Sequence, residues 1–147
     1  MSQRTLLVID DQSSVCTSLA YFLELANYRV LTAESGAAGL ALAEQESIDG
    51  ALIDVHMPVM NGFDTCLRLQ GQAQTRGRAL RVWFMTGAFS GGFERRSADL
   101  GALGVMQKPF NHPAFLARLE EGFSSPLPPV PSDAPSATGG AVAHSAV

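Results

Sequence analysis

Five side chains in this sequence are of types that handle phosphoryl groups and hard cations, and each follows a short apolar run. Asp10 and Asp11 close the run Thr5 to Ile9, and Asp54 closes Gly50 to Ile53. Thr86 closes Leu80 to Met85, and Lys108 closes Val105 to Gln107, with Pro109 next. Three carboxylates brought into one crevice repel each other and would partly protonate unless a cation compensates them. Mg²⁺ is the natural choice, because it takes a few carboxylates together with waters and phosphate oxygens rather than a complete protein cage. A carboxylate is also a nucleophile toward a phosphoryl group, giving an aspartyl-phosphate. The negative charge on the transferring group then needs fixed donors, which the Lys108 ammonium and the Thr86 hydroxyl would supply. None of the three His residues is spaced for zinc.

That chemistry requires the five residues to converge, and the pattern along the chain shows how they would. Thr5 to Ile9, Arg29 to Thr32, Gly50 to Ile53, Leu80 to Met85 and Val105 to Gln107 are strand-sized apolar or β-branched runs. Helical periodicity fills the gaps. Ser13 is placed as the cap of a helix from Ser14 to about Ala26, with Val15, Leu19, Phe22, Leu23 and Ala26 on one face. Further helices are expected over Ser35 to Glu46, Phe63 to about Gln74, Arg95 to Leu100, and Pro113 to about Phe123 with Asn111 as its cap. Strands alternating with helices imply a parallel sheet covered on both faces. Ligands of such sheets bind outside the carboxyl ends of the strands, where all five residues fall. Gly87 to Gly92 (GAFSGG) reads as a mobile Gly-rich loop.

The composition agrees with one folded unit. The chain has 147 residues, 46% hydrophobic and 16% charged, which is enough for one compact core. A formal net charge of -4 with ten scattered Lys and Arg residues argues against a direct nucleic-acid surface. Two cysteines, Cys16 and Cys66, sit in apolar helical patterns and read as packing residues of a reducing compartment. The apolar runs are far shorter than the roughly 20 residues of a membrane helix, so a cytoplasmic protein without membrane contact is expected. From Ser124 onward Pro, Ser, Ala and Gly dominate, so 4–123 is expected to fold and 124–147 to be a disordered tail.

Four segments carry a family resemblance: IDD at 9–11, LIDVHMPVMNG at 52–62, MTG at 85–87 and GALGVMQKPF at 101–110. In that order, each closing an expected strand, they resemble a response-regulator receiver domain of two-component signalling, over about Arg4 to Phe123. The resemblance implies an α/β fold, a flavodoxin-like doubly wound (βα)5 unit whose five-stranded parallel sheet has order 2-1-3-4-5. It implies that Asp54 is the phosphoacceptor, and that Asp11, Asp54 and the His56 carbonyl bind Mg²⁺ while Asp10 assists through water. Lys108 and Thr86 would grip the phosphoryl group, and Pro109 would follow a cis peptide. The donor would be a sensor histidine kinase or a phosphotransfer protein. Output would pass to a downstream protein partner, through the face of the fourth helix, fifth strand and fifth helix. Such a domain catalyses only its own phosphorylation and dephosphorylation, and is expected here as a stand-alone monomer or weak dimer.

One position departs from the family pattern. Val105 stands where a switch Tyr or Phe is usual, so output is expected to use the Gly-rich loop, with Phe89 and Phe93, and the helix after it. Rival readings are an aspartate-nucleophile phosphatase of the haloacid dehalogenase type, a pseudo-receiver without phosphorylation, and the receiver part of a DNA-binding regulator. The first needs a D-x-D on its first strand, whereas Asp10 and Asp11 are adjacent.

Overall fold

The computed structural model describes residues 3–88 and 90–127. Its ten elements alternate strictly: β1 Thr5–Ile9, α1 Ser13–Leu25, β2 Arg29–Ala33, α2 Gly36–Gln45, β3 Gly50–Asp54, α3 Gly62–Thr75, β4 Arg81–Thr86, α4 Gly91–Asp99, β5 Gly104–Gln107 and α5 His112–Ser124. The five strands are all parallel and lie in the order β2-β1-β3-β4-β5, as the resemblance implies. Residues 128–147, most of the expected tail, lie outside the described residues, as does Phe89.

The period of two along each strand divides the core between the two faces. Leu6, Val8, Leu52, Trp83 and Met85 face α1 and α5, where they meet Cys16, Leu19, Leu23, Phe115, Leu119 and Phe123. Leu7, Ile9, Ile53, Val82 and Phe84 face the opposite way and pack with Ala43, Cys66, Leu69 and Leu100. All of β1 and β3 is buried, which is why both read as continuous apolar runs rather than alternating ones. Each such Leu or Ile contributes about 1.5–3 kcal/mol of burial, making these two central strands the rigid base for what stands at their ends.

Two local expectations are corrected. Ser13 is the first helical residue of α1 and not its cap; Gln12 holds the cap position without a side-chain cap bond. Its backbone N–H is instead turned toward Asp10, as described below. Helix α4 begins at Gly91, about a turn before the expected Arg95, so Gly91 and Gly92 belong to the helix instead of the loop. Glycine lowers helix propensity but does not forbid it, and Leu100 and Ala102 anchor this segment in the core. Asn111 caps α5 as expected, accepting from the Ala114 N–H at 3.0 Å, and Ser35 and Asn61 do the same for α2 and α3.

Candidate functional site

The carboxyl ends of β1, β3, β4 and β5 bring the expected residues together. Asp54 is the last residue of β3 and pairs in register with Met85, so Thr86 stands one residue further along the neighbouring strand. Lys108 follows β5 directly, and its N–H donates to the Thr86 carbonyl at 2.8 Å. Asp10, Asp11 and Asp54 each offer a carboxylate oxygen, and these oxygens lie within 4.8 Å of one another. Asp10 is fully buried, Asp54 is 4% exposed and Asp11 faces solvent.

Local structure holds each group. The Gln12 N–H donates to Asp10 Oδ1 at 2.9 Å, and the Cys16 thiol approaches the Asp10 carbonyl at 3.4 Å. Burial, and next the negative charge of Asp10, push that thiol up to about 11, so Cys16 is an inert packing group. Cys66, driven up to about 12 by burial, is another. The Lys108 ammonium lies 2.7 Å from Asp10 Oδ2 and 3.7 Å from Asp54 Oδ1. Lys108 is the only lysine of the chain. Its contact with Asp10 is electrostatic and off the angles of a hydrogen bond, so the buried Oδ2 has no hydrogen-bond donor.

Among the described residues the hydrogen bond reaching the Asp54 carboxylate is a long one, from the His56 N–H to Oδ1 at 3.4 Å. Burial first, then the neighbouring charge of Asp10, raise its carboxyl to about 6, against the pull of Lys108. The fully buried Thr86 accepts from the Ala88 N–H at 3.1 Å through Oγ1, which leaves its own hydroxyl proton for another acceptor.

The loop after β3 is shaped by contact with Asp54. The Gly62 N–H donates to the Val55 carbonyl at 3.0 Å, and a Cβ on Gly62 would collide with the carbonyl oxygen of Asp54. Only glycine lets α3 start so close to the strand end. Val59 in this loop is fully exposed with φ +71°, a conformation that a β-branched residue rarely adopts. The peptide between Lys108 and Pro109 is cis, as the resemblance implies.

The donor set suits a hard divalent cation. Three carboxylates face one ammonium, leaving surplus negative charge, and a buried carboxylate oxygen has no hydrogen-bond donor. The site therefore fits Mg²⁺ on its own chemistry.

Sequence reasoning missed Gln12, whose N–H orients Asp10 and whose side-chain oxygen lies 3.5 Å from the Lys108 ammonium. Its place immediately after two acidic residues at a strand end was the available signal. It also missed the ring cluster beside the site: His56 and Phe93 centroids are 5.5 Å apart, and Phe63 contacts both Phe93 and Phe84. Val105 is buried in the core on the α2, α3 and α4 side of the sheet.

Comparison with known proteins bears on the same residues. The family profile described as response regulator receiver domain matches residues 6–120. The chain is 33% identical over 118 residues to the alkaline phosphatase synthesis transcriptional regulatory protein PhoP of Bacillus subtilis, covering 80% of this chain and 47% of that protein. It is 40% identical over 70 residues to protein PilH of Pseudomonas aeruginosa, covering 48% of this chain and 58% of PilH. The solved structure of the chemotaxis protein CheY4 of Vibrio cholerae, crystallized at low pH, superposes with a TM-score of 0.75 at 30% identity, covering 82% of this chain and 99% of that one. The chain thus spans about half the length of the curated relatives it matches.

Proposed function

The chain belongs to the response regulator receiver domain family, a signalling family of two-component systems, and we propose from this that it accepts a phosphoryl group on Asp54. The donor in this reading is a sensor histidine kinase or a phosphotransfer protein. The phosphorylated domain then signals to a downstream protein partner by a change of conformation. One observation carries the reading: the Asp54 carboxylate lies between two further carboxylates, Asp10 and Asp11, and the ammonium of the only lysine.

The residues divide the work as follows. An Asp54 carboxylate oxygen attacks the phosphorus and forms the P–O bond while the bond to the donor atom breaks, with no change in oxidation state. An acid with its pKa raised to about 6 is still mostly ionised near neutral pH, so the nucleophile is available. Lys108 and the Thr86 hydroxyl meet the oxygens of the incoming group, and Gln12 and Cys16 keep Asp10 in place. Asp10, Asp11, Asp54 and the His56 carbonyl would hold Mg²⁺, which when bound neutralises charge on the phosphoryl oxygens. The domain would catalyse only its own phosphorylation and dephosphorylation, without turnover of a separate substrate. Cys16 and Cys66, both free and buried, are compatible with action in a reducing cytoplasm. No helix among the described residues is long and apolar enough to cross a membrane.

A second reading has a specific basis. PhoP is named a transcriptional regulatory protein, and only about half of its length is matched, so this domain would be the receiver part of a larger DNA-binding regulator.

Incubation with acetyl phosphate and Mg²⁺, followed by intact mass measurement, tests the central claim. The mass of one phosphoryl group is expected on the wild type and not on Asp54→Asn. A wild type that stays unmodified, or an Asp54→Asn variant that gains the same mass, would overturn the assignment.

A further inference from the structure

Positive charge collects at the end of the sheet opposite Asp54. In a protein of formal net charge -4, three of the ten Lys and Arg residues line one hollow there: Arg4, Arg78 and Arg81. They are far apart or only loosely grouped in the sequence, but Arg4 precedes β1 and Arg78 and Arg81 lead into β4, and parallel strands place their starting ends together. Among the described residues none of the three forms an ion pair; the pairs there are Arg29 with Glu46 and Lys108 with Asp10 and Asp54. The one carboxylate on the hollow, Asp49, has Oδ2 engaged by the Thr5 N–H at 2.8 Å. Two uncompensated positive charges remain.

Arg4 and Arg81 are also held in place. The ring of Phe123 forms a floor, with the Arg4 guanidinium 4.6 Å and the Arg81 guanidinium 5.7 Å from its centroid. Arg81 donates from Nε to the Gly122 carbonyl and from Nη2 to the Ser125 carbonyl, each at 2.9 Å. Among the described residues its Nη1 donors have no hydrogen-bond acceptor, on a fork whose orientation is already set, so ordering it for a ligand costs little further entropy. Arg78 is exposed, and its side chain makes no hydrogen bond or ion pair among the described residues. Guanidinium forks match the paired oxygens of phosphate groups.

We propose that this hollow, at the end of the domain remote from Asp54, binds a phosphate-type polyanion through Arg4, Arg78 and Arg81. Two adjacent phosphates suit it better than one, because a single phosphate engaged by one fork would leave the other positive charges unmet. Free pyrophosphate and the diphosphate of a nucleotide share that chemistry.

The test uses the full chain with EDTA present, so that the carboxylate site takes no metal. Calorimetric titration with inorganic pyrophosphate is combined with the fluorescence of Trp83, the only tryptophan, whose ring lies 5.3 Å from Phe123. Saturable one-to-one binding is expected, weakened about ten-fold or more by Arg78→Gln and by Arg4→Gln. Arg95→Gln, which removes an exposed arginine of α4 outside the hollow, is expected to leave it unchanged. Arg78 is exposed, so its variant keeps the fold and isolates the charge. Tighter binding of a nucleoside diphosphate than of pyrophosphate would identify a nucleotide as the source, and equal binding would identify the phosphates alone. Absence of saturable binding at millimolar pyrophosphate, wild-type affinity in both the Arg4 and Arg78 variants, or an equal loss of binding in Arg95→Gln would overturn the proposal. So would duplex DNA that binds at these arginines and is not displaced by pyrophosphate.

Discussion

The Lys108 ammonium sits 2.7 Å from Asp10 Oδ2 and a full ångström farther, at 3.7 Å, from the Asp54 carboxylate. In the metal-free protein it therefore compensates the fully buried Asp10 first. Removing it leaves a buried charge unpaired, which is far costlier than losing a surface pair. Lys108→Met is expected to lower the stability of the metal-free domain by about 2–4 kcal/mol in urea unfolding with EDTA present. Millimolar Mg²⁺ is expected to restore much of that loss. A loss under half a kcal/mol would show that Asp10 is already compensated elsewhere.

Asp54 makes a prediction about pH. Its carboxyl is raised to about 6 in the folded protein, by burial first and Asp10 second, against about 3.9 in an unfolded chain. Between those values the folded state binds more protons than the unfolded state, so metal-free stability falls as pH rises from about 4 to about 6, then levels off. Asp54→Asn removes that slope and is expected to gain about 2 kcal/mol near pH 7. A variant whose stability follows the same pH curve as the wild type would place the slope on another group.

Val59 is fully exposed and held at φ +71°, so it has strain and little packing to lose. Val59→Gly relieves the left-handed strain at some cost in unfolded-state entropy, for a net gain of about 1 kcal/mol. Scanning calorimetry should show a melting temperature about 2–4 °C higher. A lower value would mean that the side chain is held by contacts absent from this conformation.

Gly62 is the opposite case, because a Cβ there meets the Asp54 backbone instead of a side chain that can turn away. Gly62→Ala is expected to cost about 2 kcal/mol or more and to slow labelling by acetyl phosphate, since the end of β3 must shift. Unchanged labelling in the variant would show that the loop yields and the strand does not.

Val105 is too small to act as the usual switch aromatic, and the His56 ring next to the site contacts Phe93 of α4. Phosphorylation is expected to change hydrogen exchange over Gly91–Asp99, and Phe93→Ala is expected to diminish that change while leaving phosphoryl uptake intact. A response confined to β5 in both proteins would remove α4 from the output path.

The order of elements and the positions of Asp10, Asp54, Thr86 and Lys108 at strand ends were legible in the chain itself. They depend on local periodicity and on which residue stops each apolar run, and neighbouring residues settle both. The start of α4 was not legible, because Gly91 and Gly92 have loop propensities that core contacts of the same segment override. Nor could Ser13 be told from Gln12 at the head of α1, since that choice rests on the turn made around the Asp10 carboxylate. The preference of Lys108 for Asp10, the contact of His56 with Phe93, and the gathering of Arg4, Arg78 and Arg81 belong to tertiary structure alone. Each joins side chains from separate elements, and which atoms meet is decided by the order of the strands in the sheet and by how the helices pack on it, a non-local outcome that no single segment encodes.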